Sequence, residues 1–225
     1  MYDTHKSPEM VLDYIRSYSL VFWDFDGVIK DSVDVKTQAY ESLFLPYGEK
    51  IAESVRKHHE ANGGMSRFEK MPLYLKKAGV AVTSTIVDDF CSRFSSLVMR
   101  QVINSPWVPG VLEYLKQEHA STNFILVTAT PKAEIDIILD RLGIVHYFQK
   151  IFGAPVNKAD AIADSMEQYS LKSQEALMIG DASADLAAAE KNSICFLLRT
   201  TAINLDLQKH FKGPQFENFY NEQVT

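Results

Sequence analysis

An interruption limits the fold of this chain more than any other feature. Five short apolar runs read as buried strands: Tyr18 to Asp24, Phe124 to Thr128, Lys150 to Gly153, Ala176 to Ile179 and Ile194 to Leu198. From the second run onward they alternate with helical patterns, one opened by Thr130-Pro131 and closed by Gly143, one over Lys158 to Tyr169, and an alanine-rich one over Ala182 to Lys191. Alternation of this kind implies an α/β fold with a Rossmann-like parallel sheet and right-handed crossovers. Between the first and second strands the rhythm stops. Val33 to Asn104 carries helical patterns and no convincing strand. They run over Val33 to Leu45, Lys50 to Ala61, a capping-box start at Ser66-Arg67-Phe68-Glu69 reaching Lys77, and Thr85 to Ile103. A further helix is expected over Ser7 to Ser17, with Ser7 as cap and Pro8 in the first turn. A chain of 225 residues can bury one core and a modest inserted domain. The division expected is an α/β core from residues 1–32 and 104–225, with an α-helical insertion at 33–103.

The formal charge of −6 argues against a nucleic-acid or acidic-membrane partner, which would favour a basic face. An anionic substrate stays open, because a local metal or lysine can reverse the field in one cleft. Cys91 and Cys195 lie far apart in apolar contexts and read as buried thiols in a reducing compartment. No apolar run reaches transmembrane length, and the first residues hold no signal-peptide block, so a cytoplasmic location is expected. Nothing in the sequence implies a protein partner.

The first strand ends in "WDFDG": two carboxylates one residue apart, then a glycine. Like charges at the end of a core strand are costly unless a cation binds there. Other strand ends carry matching chemistry. Thr128 closes the second in "FILVTATPK", Lys158 opens the helix after the third in "GAPVNKADAI", and Asp181 and Asp185 follow the fourth in "LMIGDASADLAAA". The carboxyl ends of strands in an open parallel sheet form the ligand crevice. Four carboxylates, a hydroxyl and a lysine on one mouth suit a magnesium ion and a phosphate.

These four motifs, DxD, Ser/Thr, Lys and GDxxxD in this order, resemble the haloacid dehalogenase superfamily of phosphohydrolases, with the helical insertion similar to the family's mobile cap. The resemblance implies that Asp24 is the nucleophile and Asp26 the general acid, then base. It implies magnesium held by Asp24, the Asp26 carbonyl and Asp181, with Asp185 supporting. Thr128, with Ala129 beside it, and Lys158 would bind the phosphoryl group. Asp26 argues against the dehalogenase and phosphonatase branches, which lack that second aspartate. A phosphomonoester hydrolase acting on a small phosphorylated metabolite, a sugar phosphate foremost, is therefore expected. A phosphosugar mutase is the near alternative and a non-catalytic binding module the distant one; Gly180-Asp181 is the hydrolase-like form. The segment "GGMSR" resembles the G-x-S-R stretch of β-phosphoglucomutases, which implies that Arg67 grips the far end of the substrate. His58, His59 and Glu60 lack a metal-ligand spacing and read as solvated helix residues.

Overall fold

In a computed structural model that describes residues 10–220, the strands form one parallel sheet. They are β1 (Leu20–Trp23), β2 (Asn123–Pro131), β3 (Lys150–Ala154), β4 (Ala176–Gly180), β5 (Cys195–Arg199) and β6 (Gln215–Phe216), in the order β3-β2-β1-β4-β5-β6. In the register at its centre, Leu20 lies between Asn123 of β2 and Ala176 of β4. The four residues of β1 are wholly buried, as a strand covered on both faces must be.

Side chains alternate between two apolar layers. Leu20, Phe22, Ile125, Val127, Met178 and Phe196 pack into one. Val21, Trp23, Phe124, Leu126, Leu177 and Ile179 pack into the other. That second layer continues through Phe25, Val28 and Ile29 into the helical segment after β1, where Tyr40, Phe44, Tyr74 and Phe94 extend it. The segment comprises α2 (Val33–Phe44), α3 (Glu49–Ala61), α4 (Arg67–Lys77) and α5 (Ser84–Asn104). Its helices start and stop where their caps dictate. Ser66 and Glu69 form the capping box of α4, Thr83 accepts from the Ile86 N–H at the head of α5, and Gly79 follows α4 with φ +69°.

The remaining helices flank the sheet: α1 (Val11–Arg16), α6 (Val111–Glu118), α7 (Lys132–Leu142), α8 (Lys158–Tyr169), α9 (Ser183–Lys191) and α10 (Leu205–His210), with α numbers following the chain. The expected first helix is present from Val11, while its cap at Ser7 and Pro8 lies outside the described residues. Three elements are additions to the sequence reading: α6, α10 and β6. β6 has two residues and exists through its pairing with Leu198 and Arg199, a tertiary contact without a local signature. β2 runs past Thr128 to Pro131, so α7 begins at Lys132. Both cysteines are free; Cys91 is buried, whereas Cys195 is only half-buried because it starts its strand.

Candidate active site

Asp24 leaves β1 with its backbone N–H still donating to the Ile179 carbonyl at 3.0 Å, so the sheet fixes the carboxylate's position. It is 3 % exposed. The chain then turns sharply, the N–H groups of Ile29 and Lys30 both bonding to the Phe25 carbonyl. Gly27 makes the turn at φ +79°, and a Cβ there would come within 2.0 Å of Asp181 Oδ2. Only glycine lets the first strand end lie against the fourth.

The carboxylates of Asp24, Asp181 and Asp185 each offer an oxygen within 4.8 Å of the others, and all three residues are buried. Lys158, in the first turn of α8, joins two of them. Its Nζ lies 2.5 Å from Asp185 Oδ1 and 2.8 Å from Asp24 Oδ1. The first contact is a hydrogen bond. The second is an ion pair, and Asp24 Oδ1 is buried with Lys158 as its charged neighbour and no other hydrogen-bond donor among the described residues. Asp185 is otherwise satisfied by the Ala182 N–H at 3.1 Å. Burial pushes the Asp24 carboxyl up to about 7 against the pull of Lys158, with Asp185 and Asp26 repelling it further. Burial, then the charges of Asp24 and Asp185, raise Asp181 well above the usual carboxylate range. The same forces raise Lys158, where the two aspartates outweigh burial. This is a cluster short of positive charge. Hard oxygen donors, three buried carboxylates sharing one lysine and glycine-made clearance at Asp181 fit a magnesium ion.

Asp26 is in a different setting. Ser32 Oγ donates to its Oδ1 at 2.6 Å, Thr130 Oγ1 donates to its Oδ2 at 3.2 Å, and Lys36 pairs with Oδ2. Burial alone would raise this carboxyl; Lys36, Ser32 and Thr130 outweigh it and hold the group low. Two aspartates one residue apart are thus driven in opposite directions. Thr128 is buried, and its Oγ1 accepts from the Thr130 N–H at 3.2 Å.

Asp24, Asp26, Thr128, Ala129 and Asp181 line a cavity of about 490 Å³ whose far wall is the helical segment. Gly63 and Gly64, which end α3, stand against the core, since Cβ atoms there would lie 3.3 Å from that of Ala182 and 3.0 Å from that of Ala184. Lys36, Lys70, His59 and Arg67 face the cavity from the same wall. Arg67 is buried and already engaged. It donates to Glu134 of α7 at 2.7 Å, to Ser95 of α5, and stacks over Phe94 at 4.7 Å. Lys70 and His59 are buried too, with Lys70 Nζ 2.8 Å from His59 Nδ1.

The residues read from the motifs therefore converge, although Lys158 and Asp185 lie behind the cavity wall, where Lys158 bonds Asp185 and pairs with Asp24. Four side chains are additions: Lys36 and Thr130 on Asp26, Glu134 on Arg67, and Lys70. Thr130 stands two residues past Thr128 on the same strand, an alternation that could have flagged it. The lysines carry no local signal, being ordinary helix residues until the helices fold over the sheet. His59 needs correction, since it is 6 % exposed rather than solvated. It sits one turn from the end of α3 on the side that packs against Tyr40, whereas His58 bonds Tyr74 Oη at 3.0 Å and Glu60 pairs with Arg56.

The model of the family described as "Haloacid dehalogenase-like hydrolase" matches residues 21–198. A phosphoglycolate phosphatase of Vibrio parahaemolyticus is 29% identical over 197 residues, covering 80% of this chain and 82% of that protein. A haloacid dehalogenase-like family hydrolase of Streptococcus pneumoniae has a TM-score of 0.63 at 18% identity, over 89% of this chain and 95% of that one. A β-phosphoglucomutase of Clostridium difficile has a TM-score of 0.65 at 21% identity, over 84% and 87%. At those identities the two structures speak for the fold alone. No helix among the described residues is long and apolar enough to cross a membrane. The match from the first strand to the fifth places the chain in the haloacid dehalogenase-like hydrolase family, as an enzyme of the phosphatase type.

Proposed function

We propose that this protein is a magnesium-dependent phosphatase that hydrolyses a small phosphorylated metabolite through an aspartyl-phosphate on Asp24. The observation that carries the reading is the buried trio of Asp24, Asp181 and Asp185, within 4.8 Å of one another, of which Asp24 and Asp181 line a cavity roofed by the inserted helices. Asp24, Asp181 and the Asp26 carbonyl would hold magnesium, with Asp185 fixing Lys158 beside them. Bound there, the ion would neutralise the carboxylates and the phosphoryl oxygens, so that an anionic ester can approach.

The chain's own groups do the rest. Asp24, held by the sheet and by Lys158, is positioned to attack phosphorus, forming the Asp24 oxygen–phosphorus bond as the ester oxygen leaves. Thr128 and the Ala129 backbone orient the phosphoryl oxygens. Asp26 is kept ionised, which suits the second half of the cycle, where a base must take a proton from the water that attacks the aspartyl-phosphate. In the first half Asp26 has to deliver a proton to the leaving oxygen. The contact with Lys36 opposes that, so as the ester binds Lys36 would move off and Asp26 would take up a proton from solvent, which the proton drawn from the attacking water later replaces. The helical segment acts as a cap that shuts water out during the first half and admits it for the second. A cavity of about 490 Å³ suits a metabolite and excludes a macromolecule. The relatives named for phosphoglycolate favour hydrolysis over the mutase reading, and a phosphorylated acid over a sugar phosphate.

The test is phosphate release across a panel of phosphometabolites, with magnesium or excess chelator. Turnover should need magnesium, and Asp24→Asn should lower it by several orders of magnitude, as removal of other covalent nucleophiles does. Full turnover in chelator, or in the Asp24→Asn protein, would sink the reading.

A further inference from the structure

Three lysine and arginine side chains line the cavity, and two of them have acids. Lys36 pairs with Asp26 and Arg67 with Glu134. The third, Lys70, is 1 % exposed and forms no ion pair among the described residues. Among the described residues, no neighbouring carboxylate comes within ion-pair distance of it. His59 of α3 takes one of its N–H groups, the Tyr40 ring of α2 lies 5.9 Å away, and Lys36 of the same helix repels it. Asp26 attracts it only from a distance, with its own oxygens taken by Lys36, Ser32 and Thr130, and Glu69 is one residue back on α4. A buried ammonium without an anion is expensive to keep.

His59 adds a second observation. While Lys70 is an ammonium it can only donate, so His59 Nδ1 then accepts and the proton of the neutral ring sits on Nε2. That Nε2 is buried with no hydrogen-bond partner. Burial and Lys70 hold the ring neutral, pushing it down to about 2. The wall opposite Asp24 thus carries two adjoining groups with donor capacity to spare and no acceptor.

We propose that Lys70, oriented by His59, binds a carboxylate on the leaving group, so that the preferred substrate is the phosphate ester of a short hydroxy acid and not of a neutral alcohol or sugar. The inference rests on the phosphatase reading and deepens it. The phosphoryl group lies at the strand ends on Asp24, and the leaving group extends toward α3 and α4, where its carboxylate supplies the anion that Lys70 lacks. Burial and Lys36 bring the Lys70 ammonium down to about 7, and a bound carboxylate would restore its charge.

The test uses a matched pair, 2-phosphoglycolate and ethyl phosphate, which share two carbons and differ by the carboxylate. The wild-type protein should favour 2-phosphoglycolate in kcat/KM, and in Lys70→Met the ratio between the two should fall on the order of 30-fold. Lys70→Arg, which keeps the charge, should retain most of the ratio, whereas His59→Leu should lose part of it through KM. Equal losses on both esters in Lys70→Met, or no preference in the wild type, would overturn the proposal. Calorimetric binding of both compounds to the Asp24→Asn protein needs no turnover and separates the two readings. Preferential binding of 2-phosphoglycolate that vanishes when Lys70→Met is added supports Lys70 even if no ester is hydrolysed, an outcome that would refute the phosphatase reading alone. Equal binding of the two refutes the Lys70 assignment whatever the activity.

Discussion

Lys158→Met removes a cation from among three buried carboxylates while keeping most of the side chain's bulk. The ammonium lies 2.8 Å from Asp24 Oδ1 and 2.5 Å from Asp185 Oδ1, with Lys158 only 8 % exposed, so solvent screens these pairs little. At an effective dielectric of about 20, one pair at that separation is worth about 6 kcal/mol. Desolvation of the ammonium offsets much of this, and the net cost of breaking such a buried pair is about 3–5 kcal/mol. In a domain of this size that lowers Tm by roughly 6–20 °C. The assay is calorimetric unfolding of wild type and variant near neutral pH, first in excess chelator and then in millimolar magnesium. The ion should stabilise both proteins, by about 2.7 kcal/mol where its concentration is 100 times Kd. It should stabilise the variant more, because the site it enters there has one more uncompensated negative charge. A loss below about 1 kcal/mol in chelator, or equal magnesium shifts in the two proteins, would show that these carboxylates do not share one cation site.

Other outcomes follow from neighbouring contacts. Gly27→Ala adds a Cβ within 2.0 Å of Asp181 Oδ2 at φ +79°; it should cost at least about 1–2 kcal/mol and weaken magnesium binding on the order of tenfold, both read by calorimetry. A double-mutant cycle of Arg67→Ala and Glu134→Ala should return a coupling above about 1.5 kcal/mol in urea unfolding, since the pair is buried; additive losses would mean that it holds nothing together. Lys70 is pushed down from 10.5 to about 7, so between those values the unfolded chain carries the extra proton and stability should rise with pH. The gain is at most about 1.4 kcal/mol per pH unit, and urea unfolding of wild type against Lys70→Met at intervals across this range should show it in the wild type alone.

What could be read from the sequence follows from where the information is local. β1 and β4, at the centre of the sheet, are apolar runs followed by an aspartate, and β3, at its edge, is bounded by Pro155, so all three lie within a residue or two of the expected bounds. Lys158–Tyr169 is matched residue for residue, because Asn157 caps it and the helix ends as the chain turns left-handed at Ser170. The four polar motifs share that legibility, each standing at or near a strand end, where topology brings them to one mouth. β6 and α10 had no such signal. The contacts of the inserted helices are the least visible in the sequence. Whether Arg67 is free or bound to Glu134, and whether His59 is solvated or buried against Lys70, depends on how α2 to α5 fold over the sheet, and no spacing in the sequence encodes that contact.

The central claim is a covalent phosphoryl-enzyme on Asp24, and its most direct measurement is to catch it. The protein is mixed with magnesium and a hydrolysable phosphate ester, quenched in acid during turnover and reduced with borohydride, which converts an acyl-phosphorylated aspartate to homoserine. Peptide mass spectrometry should find homoserine at position 24, dependent on both ester and magnesium. Turnover with no protein-bound phosphate, or reduction at any other carboxylate, would contradict the account.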